Sequence, residues 1–507
     1  MTAEVGRRAT PEDYSAPLEC DVAIAGAELA GLVAGAVLAK RGLRVVLVDE
    51  PPVVGGRGGA IEHRGYWLDG GHRAGRDVTD LMFPWQHGGE AAREAGVEVQ
   101  VRAVRSGLRI HLVPEPGERG PGTLLDATDW TPEGFARLAT DAFACPPEAL
   151  PDFLAALDLL SNTSAEQQAA AIEVPLGEWL PARVPNPAAH VPILNMIKAT
   201  FSERPERASA GRVMKLLDLQ VASARHDRQF TGLADDPAVG GVQGLMEPFA
   251  RGIEERGGRI VLDHRPVAVE FDADRATGLI ATGPAHLTLR IRARHTIAAY
   301  PIWSVLPLLP PERVSPGLRD MADRLEDFAT TGVGWVAGLT RMPRRRDSGE
   351  IEAYAGWNRM LVGAERVFSG GFHFPSLDSR RAAPDGRHLL SCFILHWVRR
   401  GERPHWPSLD RKLQHAKAYV HSVYSDLDEC IEWQSDRFVS DPPAVAAGWY
   451  WAPVKRHGIR IPGCRNLYVA SSTIEGDVGT VDGSAYAGLE SARAILEESR
   501  ERTTGDG

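Results

Sequence analysis

Asp21-Val22-Ala23-Ile24-Ala25 followed by Gly26-Ala27-Glu28-Leu29-Ala30-Gly31 is the stretch on which the fold turns. The first five residues are a short apolar run of the kind that becomes a buried parallel strand. A glycine-bounded turn comes next. Residues 32–42 then read as an apolar helix that closes at Gly42, a residue suited to the C′ position. A second apolar strand covers residues 44–48 and ends on Asp49-Glu50. This strand–turn–helix–strand unit of about 30 residues carries an acid about 20 residues beyond its glycine loop, as a dinucleotide fingerprint requires. Each part has a physical task. Gly26 makes the tight turn, and the helix N-terminus offers N–H groups and a partial positive charge to a pyrophosphate. Asp49 would accept hydrogen bonds from adenosine ribose hydroxyls. A Rossmann unit that binds nothing there is the bland alternative.

Outward from that unit, three further blocks follow in order. Gly55-Gly56-Arg57 comes shortly after the acid, and Gly65-Tyr66-Trp67-Leu68-Asp69-Gly70-Gly71-His72 reads as an aromatic strand running into a glycine-rich turn. Gly240-Gly241-Val242-Gln243-Gly244-Leu245 opens an amphipathic helix that ends at Gly257-Gly258, before a strand over 259–262 and then His264-Arg265-Pro266-Val267. Asn466-Leu467-Tyr468-Val469-Ala470 reads as a last parallel strand, and Gly479-Thr480-Val481-Asp482-Gly483 opens a final helix to about residue 498.

These blocks resemble the FAD-dependent oxidoreductase superfamily, on the branch of phytoene desaturases and flavin amine oxidases. The resemblance runs over nearly the whole chain. It implies an α/β fold: a Rossmann-type FAD-binding domain built from separated segments (18–90, 235–305 and 455–500), with an interleaved α+β substrate or cap domain (91–234 and 306–454). Residues 1–17 and 499–507 are expected as flexible tails. It also implies that Gly26, Glu28, Gly31, Asp49, Gly55, Gly56, Arg57, Gly71, Val267, Ser472, Val481, Asp482 and Gly483 surround the cofactor. Val267 would meet adenine through its backbone. The final helix N-terminus would face the flavin pyrimidine ring, its dipole stabilising negative charge on a reduced flavin.

Three positions depart from the family pattern. Glu28 stands at the second glycine of the fingerprint, where a side chain hinders close approach of a pyrophosphate and adds a like charge. Ser471-Ser472 replaces a frequent Gly-Asp, and Pro51 replaces an arginine that often follows the acid. Three functions therefore stay open. The first is a flavin-dependent dehydrogenase, desaturase or oxidase acting on an apolar or amine-bearing small molecule. The second is a flavin protein doing non-redox isomerisation or hydration. The third is a flavin-free binding protein, as Rab escort and GDP-dissociation-inhibitor proteins are on this fold. Glu28 favours the third; Asp49, Gly55-Gly56-Arg57 and Val481-Asp482-Gly483 favour the others.

Catalytic residues are less legible, because a flavin itself carries the redox chemistry. Trp449-Tyr450-Trp451 lies just before the last strand, where an apolar wall for substrate and plain core packing are equal readings. His72 is a candidate for proton transfer, against an ordinary hydrogen-bonded histidine. Lys455-Arg456-His457 reads as a solvated loop ahead of an anion site. Residues 130–230 read as largely helical, with Thr131 as an N-cap before Pro132; residues 332–338 and 389–398 read as strands.

The composition is ordinary for a globular protein. The 507 residues exceed a single small core. A formal net charge of −10 argues against a nucleic-acid partner, which needs clustered Lys and Arg. Cys20, Cys145, Cys392, Cys430 and Cys464 lie too far apart for a metal or CxxC motif, so no metal and no disulfide framework are expected. Residues 1–17 lack the apolar core of a secretory signal, and no run approaches the roughly 20 residues of a membrane span. A cytoplasmic protein is expected, with peripheral membrane contact left open. Nothing in the residues specifies substrate, electron acceptor or oligomeric state.

Overall fold

The computed structural model describes residues 5–505 apart from 57–58, 70–84, 101–102, 105–107, 119–121, 127–130, 201–203, 226–229, 232–233, 236–239, 242, 329, 365–366, 379–380, 398–399, 403–404, 439–449 and 477–480. Arg57, Gly71, His72 and Trp449 lie outside the described residues.

The quoted stretch folds as its periodicity dictates. Strand β1 (Leu18–Ala25) leads through the turn to helix α1 (Leu29–Lys40) and strand β2 (Val45–Val48). β1 runs parallel to β2 on one side, with Val22 opposite Val45, and parallel to the strand Thr288–Ala298 on the other, with Ala25 opposite Ala298. The strand Arg259–Val261 extends the sheet beyond β2, and Leu467–Val469 joins Thr288–Ala298 in parallel. An antiparallel hairpin, Arg265–Asp272 and Arg275–Thr282, completes the seven-stranded sheet. β2 and Leu467–Val469 bury every side chain and β1 buries Val22 to Ala25, which is why these read as unbroken apolar runs. α1 is apolar all round because it is covered all round. The helices Gln243–Glu254 and Val481–Gly505 both pack on it. A Cβ on Gly488 would stand 2.3 Å from the Ala30 carbonyl oxygen, so the two helices touch at backbone distance.

A second seven-stranded sheet takes its strands from both sides of the chain. In spatial order it runs Ile431–Phe438, Thr330–Leu339, His388–Trp397, Val367–His373, Trp357–Val362, Leu108–Val113, Thr123–Asp126. All pairings are antiparallel except Trp357–Val362 with Leu108–Val113. Helix Trp406–Val423 covers one face with Leu409, Leu413, Ala416 and Val420, a helical spacing of three to four. Between 132 and 225 the described residues are largely helical. Thr131 Oγ1 accepts from the Gly134 N–H at 3.1 Å and caps the helix Pro132–Asp141.

Both termini differ from the expected tails. The Arg7 N–H donates to the Ile260 carbonyl at 3.1 Å and the Leu262 N–H to the Arg7 carbonyl at 3.0 Å, so residue 7 lengthens the sheet beyond its last strand. A 3₁₀ turn, Pro11–Tyr14, then places Asp13 on Arg259, with Nη1 to Oδ1 at 2.5 Å. Tyr14 Oη meets His264 Nε2 at 2.8 Å. An ion pair with a partner 246 residues away, shielded from water, is what holds this polar stretch down. At the other end the final helix continues to Gly505 instead of fraying after residue 498.

Candidate active site

The turn between β1 and α1 is set by two close approaches. Gly26 has φ +111°, and a Cβ there would lie 2.8 Å from the Ala299 carbonyl oxygen. A Cβ on Gly31 would lie 2.0 Å from the Gly26 carbonyl oxygen, so only glycine lets α1 start this near its own turn. The turn is anchored at Gly26 N–H to Val48 O (2.8 Å) and at Gly55 N–H to Ala27 O (2.7 Å). Glu28 is the N-cap residue, yet its side chain makes no capping hydrogen bond. The N-cap side chain thus leaves the first-turn N–H groups of α1 to another acceptor, a role a phosphate can take.

Asp49 sits at the end of β2, only 3% exposed. Its Oδ2 accepts the Ala27 N–H at 2.8 Å; its Oδ1 accepts the Glu50 N–H at 2.9 Å and the Tyr300 hydroxyl at 2.6 Å. Burial lifts the carboxyl to about 6, and the nearby Glu28 charge pushes the same way, against the three donors. Sequence reasoning found Asp49 but missed Tyr300. The available signal was Ala298-Ala299-Tyr300-Pro301 at the end of a strand parallel to β1. Proline favours an extended residue before it, and here the phenol lies against the glycine turn.

Glu28 crosses to the next loop. A Cβ on Gly56 would lie 2.6 Å from Glu28 Cγ and 3.0 Å from its Oε1, so the side chain rests on the bare α-carbon of Gly56. Gly55 and Gly56 both have positive φ, +102° and +53°.

Val267 lies at an irregularity between Pro266 and Ala268 in the strand Arg265–Asp272, half-buried. The loop before it is tied to the acid, with His264 N–H on the Asp49 carbonyl at 2.9 Å. Val481 and Gly483 are buried in the first turn of the final helix. Asp482 is turned toward a different helix: Oδ1 accepts Gly88 N–H at 2.8 Å and Oδ2 accepts His87 N–H at 3.2 Å, so it caps α2 (Gln86–Ala95). Ser472 contributes its carbonyl, which accepts Arg456 Nη1 at 3.3 Å.

Arg456 corrects the solvated-loop expectation for Lys455-Arg456-His457. Lys455 is exposed, but Arg456 is 6% exposed and also donates through Nη2 to the Tyr450 carbonyl at 3.1 Å. Burial, and then the neighbouring Arg212, lower its pKa. Burial also lowers His457, to about 4. Tyr450 lies beside both guanidiniums, 5.4 Å from Arg212 and 5.0 Å from Arg456, and packs edge-on against Trp451 at 4.9 Å. Trp451 is 3% exposed within the main core, and its carbonyl accepts Ser209 N–H at 2.7 Å. Among the described residues no group of His, Cys, Asp and Glu could hold a metal ion. No helix there is long and apolar enough to cross a membrane.

The family model of the flavin-containing amine oxidoreductases matches residues 29–496. No curated protein matches the sequence. Among solved structures, the chain is similar to an oxidoreductase from Methanosarcina mazei (15% identity, TM-score 0.63, 93% of this chain and 99% of that one). It is similar to wild-type putrescine oxidase bound to putrescine (14%, 0.61, 95% and 100%) and to Rab GDI from Plasmodium falciparum (10%, 0.53, 94% and 98%). At these identities the likeness to solved structures is one of fold.

Proposed function

The chain belongs to the flavin-containing amine oxidoreductase family, and from that premise we propose that its flavin is FAD and that it dehydrogenates an amine-bearing or apolar small molecule. The observation that carries this reading is the uncapped first turn of α1 standing beside the buried carboxylate of Asp49. One element serves a pyrophosphate and the other a ribose, and together they serve a dinucleotide. Gly26 and Gly31, where any Cβ would strike backbone, supply the close turn such a ligand needs. When bound, FAD takes up the two electrons of the oxidised carbon–hydrogen bond.

The chain's own part is binding, orientation and exclusion of water. Asp49 would hold the ribose and the α1 N-terminus the pyrophosphate. Val267 would present backbone to adenine. Tyr450 is the described aromatic proposed for the substrate wall. The five cysteines are buried and unpaired, which suits a reducing cytoplasm.

The test is a titration of apo-protein with FAD, read by flavin absorbance, followed by anaerobic addition of a panel of primary amines. Saturable binding at micromolar FAD and bleaching of the flavin band by an amine are the expected results. Apo-protein that takes up no flavin at millimolar FAD would leave a flavin-free binding protein as the reading.

A further inference from the structure

Tyr300 stands against the nucleotide turn and on the acid that closes the fingerprint. Two independent contacts fix it there. A Cβ on Gly26 would lie 3.2 Å from Tyr300 Cε1, so the ring edge rests against the α-carbon of the first glycine. The hydroxyl donates to Asp49 Oδ1 at 2.6 Å. In the dinucleotide fingerprint the first glycine makes the tight turn and the acid receives the ribose hydroxyl. The phenol sets its ring edge against that turn and its O–H on that carboxylate.

The acid has little left to offer. A carboxylate has about four lone-pair sites. Ala27 N–H, Glu50 N–H and Tyr300 O–H take three of those on Asp49, and the group is 3% exposed. The base of the ring is held as well. Ala299 N–H donates to the Ala25 carbonyl at 2.7 Å, and Pro301 follows. The backbone under the ring is thus tied to β1, and rotation about the side chain's own bonds is the short way off the acid.

We infer that Tyr300 is a plug in the adenosine half of the site: it mimics the ribose, and an adenine dinucleotide binds only when the phenol swings off Asp49 and Gly26. The inference rests on the FAD reading for its physiological ligand but not for its test. A plugged site lowers apparent affinity by the fraction of time the plug is out. It also makes association depend on a first-order opening step.

The probe is ADP, which carries the adenosine and pyrophosphate without flavin. Calorimetric titration of full-length apo-protein is expected to show ADP binding at least tenfold tighter to Tyr300→Ala than to wild type. Tyr300→Phe, which keeps the ring and removes the hydroxyl, should gain about threefold. Stopped-flow mixing of wild type with ADP should give a rate that levels off as ADP rises, where Tyr300→Ala stays linear. Unchanged or weaker ADP binding by Tyr300→Ala overturns the plug. If that variant does not fold by circular dichroism, Tyr300→Phe binding no better than wild type overturns it. Flavin uptake is scored separately. A chain that gains ADP affinity in Tyr300→Ala yet takes up no FAD retains the plug and loses the flavin assignment.

Discussion

The side chain of Glu28 lies on Gly56, close enough that a methyl group there would stand 2.6 Å from Glu28 Cγ. This contact puts a carboxylate between the two glycine turns that a pyrophosphate would have to approach. Like charges at such a site repel, and the repulsion is screened by salt. Glu28→Gln keeps the shape and removes the charge. It is expected to bind FAD at least tenfold tighter than wild type, about 1.4 kcal/mol. Glu28→Gly should gain somewhat more. Raising ionic strength from about 0.05 to 0.5 M should narrow the gap between wild type and Glu28→Gln, because the screening length shortens from about 14 Å to about 4 Å. Equal dissociation constants for all three proteins would show that the carboxylate never faces the phosphates.

Asp49 gives a pH signature. Its folded-state pKa is raised from 3.8 to about 6. The folded protein therefore holds a proton that the unfolded chain has released, and the associated stability is complete below pH 3.8. It is lost as pH rises through 6 and is flat above. Asp49→Asn does not titrate. The stability of wild type relative to Asp49→Asn should thus fall between pH 4 and 7, by up to about 3 kcal/mol. Urea midpoints of the two apo-proteins across that range measure it; a difference independent of pH contradicts the burial of the acid.

At the amino-terminal clamp the sign reverses. Arg259 holds Asp13 down at about 2, with burial opposing it. The contribution is present above pH 3.8 and is lost as pH falls toward 2. Asp13→Ala should cost about 2 kcal/mol at neutral pH, the usual worth of a charged hydrogen bond. It should also release residues 5–14, which limited proteolysis would detect as new cleavage near Arg7 or Arg8.

Tyr450 and Trp451 should separate by phenotype. Trp451 fills the core, so Trp451→Ala is expected to cost about 3–5 kcal/mol. Tyr450→Phe changes one hydroxyl beside two guanidiniums. If Tyr450 lines the substrate wall, KM for an amine substrate rises severalfold while FAD affinity stays within twofold. An unchanged KM assigns Tyr450 to packing alongside its neighbour.

What could be read from the sequence was what is local. β1, its turn, α1 and β2 lie within 31 consecutive residues, and apolar runs, glycines and the acid specify them without distant help. The N-cap at Thr131 was legible for the same reason. Tyr300 was not, since its meaning depends on an acid 251 residues earlier. Arg456 read as solvated because charge is the strongest local cue. Its burial is made by carbonyls of Tyr450, Ser472 and Ile474, and backbone acceptors leave no mark in a sequence. Asp482 likewise read as a cofactor contact, and its two oxygens serve the N–H groups of His87 and Gly88 far upstream.

The interleaved sheet also has a consequence during synthesis. β1 and β2 emerge from the ribosome early, yet the outer partner of β2, Arg259–Val261, and that of β1, Thr288–Ala298, follow much later. About 240 residues separate β2 from the start of the second of these. At about 5–20 residues per second, the first strands wait roughly 10–50 s for it. Throughout that interval the outer edge of β1 lacks its partner, a state in which nascent chains associate with one another. The chain should therefore depend on chaperone occupancy while it is being made, and slowing translation between residues 50 and 300 should lower its soluble yield.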